Sequence, residues 1–353
     1  MQDGDRLVLV TYESGVSIQM RSTVLSPETR QLALQIIDRI YANGSTNLAG
    51  GLDTAAAVLL ADSEADHFTR RLVLLSDGQA NVGETRDAAL FAKAGALRER
   101  GIGVSAIGVG TDFNATVMEG LAMNGGGRFR FLDNPEEIAV AFAKELRLAT
   151  RLVASDVEFV LKPGDGTTIE EVYGLVSERR GGDVVVHLPD IALTTQVRVV
   201  ARLRVDARSG NTPALESAAT FTDVGADHVR ATVSAPALAV RLAATAGEAV
   251  AAVDREVLAQ GLNARSIVEA RRAMELFEAG KRAEALKALD STMNAVASAN
   301  TDLKSKSLLD SLNVFGSLRR EYADPSMAAG SERSMMVKRK NIANFGTNTQ
   351  GGE

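Results

Sequence analysis

The 353-residue chain carries 39 Lys and Arg against 45 Asp and Glu, a formal charge of −6, with 45% hydrophobic residues. That length suits two or three domains, because cores divide above roughly 250 residues, and the charge gives no electrostatic footprint for nucleic acid. With no cysteine, no tryptophan and 4% aromatics, the chain offers no disulfide, thiol nucleophile, thiolate zinc site or stacking platform.

Arg6–Tyr12 (RLVLVTY) is a short apolar strand, and Val16–Met20 reads as its hairpin partner or an extended return. Ser26-Pro27-Glu28-Thr29 marks a helix start: serine caps free amides, proline fits the first helical position and glutamate favours the positive dipole end. Leu32, Ile36, Ile37 and Ile40 then define one buried stripe, closed by Gly44. Thr46 precedes a second helix with Leu48, Leu52, Ala55, Ala56 and Leu59. Arg71–Ser76 (RLVLLS) is apolar without alternation, as expected of a strand covered on both faces, and it ends in Asp77-Gly78. A helix over Thr85–Arg100, a strand over Ile102–Val109, a short helix over Ala115–Met123, an edge-like strand over Gly127–Leu132 and a helix from Asn134 to Thr150 follow. This order predicts an α/β domain over residues 1–150 with a doubly wound, mostly parallel sheet, whose ligands gather at the carboxyl ends of strands.

Beyond Arg151 the pattern becomes that of a small β-sandwich, residues 151–240, with strands expected over Val153–Leu161, Thr167–Val176, Asp183–Leu188, Thr194–Val205, Ser217–Phe221 and His228–Val233. Residues 241–323 predict helical hairpins or a bundle, with helices Ala246–Gln260 (ended by Gly261), Ala264–Ala279, Arg282–Ala297 and Thr301–Tyr322. Residues 324–353 show no stable periodicity and read as a flexible tail. No apolar run approaches the ~18 residues of a membrane helix, and no signal peptide is visible at the start. His67, His187 and His228 are too scattered for a ligand motif.

The segments GSTNLAGGLDTA, RLVLLSDGQANVGET, GIGVSAIGVGTDFNATVMEGLA and GGGRFRFLDNPEEI, in that order, resemble a bacterial von Willebrand factor A-type (VWA) domain. They are most similar to the calcium-activated chloride-channel-like and inter-alpha-trypsin-inhibitor-like group. The resemblance implies a metal-ion-dependent adhesion site with Thr46 and Asp77 as ligands, usually for magnesium, and one coordination position left for an acidic side chain of a partner protein. On the residues alone, Asp77 before glycine is also an ordinary turn former and Thr46 an ordinary cap. Asp112 reads as a turn or cap residue and Asp53 as an exposed one. Gly125-Gly126-Gly127 precedes a strand and is a turn, not a phosphate nest.

In the family, a first strand carrying an aspartate and two serines precedes the residues matched here. Met1-Gln2-Asp3-Gly4-Asp5 already resembles the turn into the second strand, so the domain reads as N-terminally incomplete: a misassigned start, a processed product or a rearranged sheet. A truncated start is favoured, with an in-frame extension carrying that strand. Thr46 and Asp77 alone imply weak or no magnesium binding. The function expected is a non-enzymatic protein-binding or scaffolding protein, with an accessory subunit of a separate AAA-type ATPase as the alternative; this chain has no GxxxxGK loop of its own. The resemblance favours an extracytoplasmic location for the complete protein.

Overall fold

The computed structural model describes residues 1–41, 44–63, 68–110, 113–132, 137–193, 195–206, 211–226, 228–330 and 332–349. His67 and Asp112 lie outside them. The chain forms two compact units. The first comprises Met1–Val157, Pro189–Thr195 and Phe221–Ala231, and the second Glu158–Leu188, Gln196–Thr220 and Thr232–Glu353.

In the first unit, β1 (Arg6–Tyr12) and β2 (Val16–Val24) form an antiparallel hairpin closed at Tyr12 and Val16. Helix α1 (Pro27–Ile37) starts as expected: Ser26 accepts from the Thr29 amide while the Thr29 hydroxyl accepts from the Ser26 amide, with proline in the first turn. Its expected buried stripe is not buried. Leu32, Ile37 and Ile40 are 49%, 46% and 41% exposed, and Ala33 is the buried residue of the helix. Apolar spacing shows which face needs cover, and here no described element supplies it. The helix also stops at Ile37, capped by Asp38, well short of Gly44.

Then come α2 (Leu48–Leu60), β3 (Arg70–Ser76), α3 (Asp87–Glu99), β4 (Ile102–Val109), α4 (Ala115–Asn124), β5 (Gly126–Leu132) and α5 (Ile138–Ala149). β3, β4 and β5 form a parallel sheet in that order, so the α/β, doubly wound reading holds. The central strand β4 is buried from Ile102 to Gly108, as the apolar run IGVSAIGV requires when helices cover both faces. β5 lies at the sheet edge. Among the described residues, the β1–β2 hairpin is a separate sheet, and β1 shares no ladder with β3.

The later strands are antiparallel where their registers are given. β6 (Leu152–Pro163), β8 (Val176–Arg180), β9 (Asp183–Leu188), β12 (Asn211–Asp223) and β13 (Val229–Ser234) make one sheet in the order β13-β12-β6-β9-β8. β10 (Ile191–Ala192) joins it at β6 and β14 (Leu238–Arg241) at β12, while β7 (Thr167–Val172) pairs with β11 (Ala201–Val205). The strand expected over Thr167–Val176 is broken after Val172, where Gly174 takes a left-handed φ of 71°. Of the one expected over Thr194–Val205, Thr194 lies outside the described residues, and the strand observed is Ala201–Val205.

The second unit continues into α6 (Ala246–Ala251), α7 (Arg255–Glu278), α8 (Arg282–Leu303), α9 (Lys306–Ala323) and α10 (Glu332–Thr349). The break expected at Gly261 falls at Ala252–Asp254 instead, where Asp254 caps α7 by accepting from the amides of Glu256 and Val257. An interior glycine costs about 1 kcal/mol, less than the flanking burial of Ala259, Ala264 and Ile267 returns. Ala259, Val296 and Leu308 bring α7, α8 and α9 together, and the Phe277 and Tyr322 rings stack 3.8 Å apart. Helix α10 occupies the segment read as a tail, with Ile342 buried. Among the described residues, no helix is long and apolar enough to cross a membrane.

Candidate functional site

The loops after β3 and before α2 meet at the carboxyl end of the parallel sheet. Thr46 donates its amide to Asn81 Oδ1 at 2.7 Å, and its carbonyl accepts from the amides of Asn81 and Val82 at 3.1 and 3.3 Å. A Cβ added to Gly78 would lie 3.1 Å from Thr46 Oγ1, so the absence of a side chain lets the residue after Asp77 come up against the threonine hydroxyl. Thr46 and Asp77, 31 positions apart in sequence, therefore belong to one cluster. Asp77 is exposed and Thr46 half-buried.

Thr46 is not the helix cap. Asn47 is, its side chain accepting from the Gly50 amide at 2.9 Å. Asn47 also fixes the loop on the hairpin, donating its amide to the Glu13 carbonyl at 2.7 Å, and the Ser45 amide donates to Ser14 Oγ at 3.1 Å. With the cap assigned to its neighbour, the Thr46 hydroxyl has no capping duty. Asp53 is in an exposed ion pair with Lys93 at 2.7 Å. Among the described residues, no three acidic, histidine or cysteine side chains converge on a point that could hold a metal ion.

Two side chains that the sequence does not single out border this cluster. Ser76 is buried and donates to the Gly78 carbonyl at 3.0 Å, shaping the turn that presents Asp77. Tyr12, at the end of β1, donates its hydroxyl to the Leu75 carbonyl of β3 at 2.7 Å. Burial and the nearby Asp77 charge push the Tyr12 phenol up from 10.0 to about 12, against the pull of a hydrogen bond with Ser76. The folded protein thus holds this proton more tightly than the unfolded chain does. The resulting stabilisation is complete below pH 10 and is lost as pH rises through about 12. Tyr12→Phe is expected to cost about 1 kcal/mol at neutral pH. It should also remove one late-ionising group from the tyrosinate absorbance titration; a titration identical to that of the parent would show that Tyr12 is not held in this way.

The loop carrying Thr46 and the loop carrying Asp77 thus lie side by side at the end of β3. Residues 1–144 match the model of the von Willebrand factor type A domain. The A-type domain thus covers the first strands and helices through α5 almost entirely. An Escherichia coli (strain K12) protein, the uncharacterized YfbK, is 28% identical over 163 residues, which cover 45% of this chain and 27% of that relative's length. Among solved structures, a von Willebrand factor type A protein from Catenulispora acidiphila aligns over 100% of this chain and 82% of its own, at 15% identity and a TM-score of 0.71. The ArnB paralog VWA2 from Sulfolobus acidocaldarius aligns over 98% and 80%, at 14% identity and a TM-score of 0.54. The human COPII-coat protein Sec24c aligns over 96% and 51%, at 13% identity and a TM-score of 0.56. At these identities the structural likenesses speak to fold alone.

Proposed function

We propose that this chain is a non-enzymatic protein-binding or scaffolding protein whose A-type domain engages its partner at the Thr46–Asp77 loop pair. The observation that carries this reading is the bracing of those loops. Thr46 is tied to Asn81, Asn47 to Glu13 and Ser45 to Ser14, which presents an exposed carboxylate beside a hydroxyl on a rigid rim. Preorganisation of this kind favours recognition, because little ordering remains to be done on binding.

The residues present suit a hard divalent cation in kind, since a carboxylate and a hydroxyl are oxygen donors of the type magnesium takes. In number they fall short. Thr46 and Asp77 would hold the ion, which would supply positive charge for an acidic side chain of the partner, but one carboxylate leaves most of an octahedral shell to water or to oxygens from elsewhere. The resulting affinity is weak, on the order of millimolar. Isothermal calorimetry on the 353-residue chain is expected to show no micromolar magnesium site, and Asp77→Ala to abolish what weak heat there is. Micromolar affinity, or heat unchanged by Asp77→Ala, would overturn the ligand assignment. A partner that binds equally well with and without chelator and with Asp77→Ala would move the contact surface elsewhere on the domain. We favour a location outside the cytoplasm, which cell fractionation would test.

A further inference from the structure

Within the second unit, one helix is held on terms unlike the others. Helix α10 packs against α7 and α9. Those two and α8 already share an apolar cluster of Ala259, Val296 and Leu308, joined by Leu262, Leu303 and Leu312, and no residue of α10 belongs to it. Among the described side chains of α10, Ser334 and Ile342 are the buried ones, with Lys338 half-buried between them. At spacings of four these three make one stripe, so the face that α10 turns to the bundle reads serine, lysine, isoleucine. Such a stripe removes little apolar area from water.

What holds α10 instead is polar and gathered at its start. Glu278, the last residue of α7, accepts from the Ser334 hydroxyl through one oxygen and from the Gly330 amide, at 3.0 Å, through the other. Arg333 reaches Glu321 at 2.6 Å and Asp324 at 2.8 Å. The three side chains are 51%, 38% and 34% exposed, and ion pairs in contact with water contribute little. The link from α9 begins at Asp324-Pro325, where proline stops the helix from running on, and it ends near Gly330, which holds a left-handed φ of 71°.

These contacts adjoin an aromatic pair. The Phe277 and Tyr322 rings are within 3° of parallel. Arg282 lies 5.4 Å from the Phe277 centroid, and its guanidinium donates to the carbonyls of Asp324, at 2.8 Å, and Met327. Tyr322 is fully buried, and its hydroxyl has no hydrogen-bond partner among the described residues. Burial, and after it the charge of Glu278, push this phenol above its usual range, so the carboxylate that α10 grips also lies near the unpaired hydroxyl. An unpaired buried hydroxyl opposes closure, because water would satisfy it on opening. Helix α10 therefore occupies, with a weak hold, a surface that is acidic at Glu278, Glu321 and Asp324 and aromatic at Phe277 and Tyr322.

We propose that α10 is a releasable occupant of a helix-docking seat on α7 and α9, and that this seat takes in trans a basic amphipathic helix of a partner protein. The contacts of α10 state what that helix carries: a hydroxyl donor for Glu278, an arginine just before it for Glu321 and Asp324, and a branched aliphatic side chain two turns later. Helix-in-groove recognition is read at such spacings. A purely apolar helix would offer nothing to the three carboxylates, so charge complementarity decides the class of partner. The inference lies wholly in the second unit and does not depend on Thr46 or Asp77.

The test opens α10 by substitutions in that helix alone, leaving the seat untouched. In the full chain, Arg333→Glu sets a like charge against Glu321 and Asp324 at an exposed position, and Ser334→Asp sets one against Glu278. Each is expected to speed amide exchange along α10 by about tenfold or more while α8 stays protected. The probe is a fluorescein-labelled peptide of residues 332–349, followed by fluorescence anisotropy. It should bind both variants at least about tenfold more tightly than the parent chain, whose seat is filled. The same peptide carrying Arg333→Glu should bind the variants at least about tenfold more weakly than the parent peptide does. Unchanged α10 exchange in both variants would show that the helix is not releasable. Loss of α8 protection along with that of α10 would make α10 part of the bundle core and overturn the proposal equally. Opened variants that bind the peptide no better than the parent chain, or bind the Arg333→Glu peptide just as well, would rule out a seat of this chemistry. Variants that sediment as dimers and take up peptide only on dissociating would assign the seat to a second copy and not to a partner.

Discussion

Asp190→Ala is expected to destabilise the first unit by about 3–5 kcal/mol, the range for breaking a buried ion pair from one side. Asp190 Oδ2 accepts from Arg71 Nη2 at 2.8 Å, with side chains only 6% and 9% exposed. Its other oxygen accepts from the Asp156 amide at 3.2 Å. Asp156 holds a left-handed φ of 48°, and its carboxylate takes Arg98 Nε at 3.2 Å and Arg230 Nη1 at 2.7 Å. Arg98 also donates to the Val157 carbonyl at 2.7 Å. The pair sits against Gly103, where a Cβ would lie 2.6 Å from Arg71 Nη1. Removing the carboxylate strands a guanidinium whose Nε and Nη1 already have no hydrogen-bond partner among the described residues. The cost should come mainly from that uncompensated charge. Arg71→Leu combined with Asp190→Leu is therefore expected to recover most of the loss, because replacing a whole buried pair with apolar groups is often neutral. Urea unfolding followed by circular dichroism measures both. A double variant no more stable than Asp190→Ala would show that the charge is not the dominant cause.

The sequence makes some of this legible and hides the rest for identifiable reasons. RLVLLS and IGVSAIGV are apolar at successive positions, and both are strands of the parallel sheet, because two-sided cover leaves a direct mark on composition. Ser26 and Pro27 set the start of α1 because a cap is a local interaction. The fate of Leu32, Ile37 and Ile40 was not legible, since burial depends on what lies opposite and not on the periodicity of the helix itself. Gly261 misled in the opposite direction: a weak local preference yielded to packing along α7.

The site divides along the same line. Thr46 and Asp77 are singled out only by resemblance in four ordered segments, and the loops carrying them meet; neither residue type announces this by itself. Tyr12 reaches a carbonyl 63 positions away, and Asp190 pairs with an arginine 119 positions away. No local pattern marks such pairs. They follow from topology, which places the end of β1 beside β3 and returns residues 189–195 to the first unit.

Phe113→Ala is expected to cost about 3–5 kcal/mol, as deletion of a fully buried aromatic ring does. Phe113 is 1% exposed. Its ring packs against the end of β4 and against β5, with centroids 6.1 Å from Phe129 and 5.8 Å from Phe131, tilted at 58° and 39°, a geometry that adds to plain area burial. The sequence accommodates it at Gly108: a Cβ there would fall 2.3 Å from the Phe113 ring. Gly108→Ala should accordingly be destabilising by overpacking, about 1–3 kcal/mol. Because both losses act through one contact, they should not add. With the ring removed, the alanine methyl enters the vacated space, and Gly108→Ala in the Phe113→Ala background should cost little or even recover stability. Additive losses would mean that Gly108 is required by β4 itself and not by the ring. Asn114, next along the chain, caps α4 by accepting from the amides of Thr116 and Val117. Phe113 therefore anchors the start of α4, and its removal should loosen that start first. Hydrogen exchange at Thr116 and Val117 is expected to accelerate before that of β4; unchanged protection there would confine the ring's role to filling volume against β4 and β5.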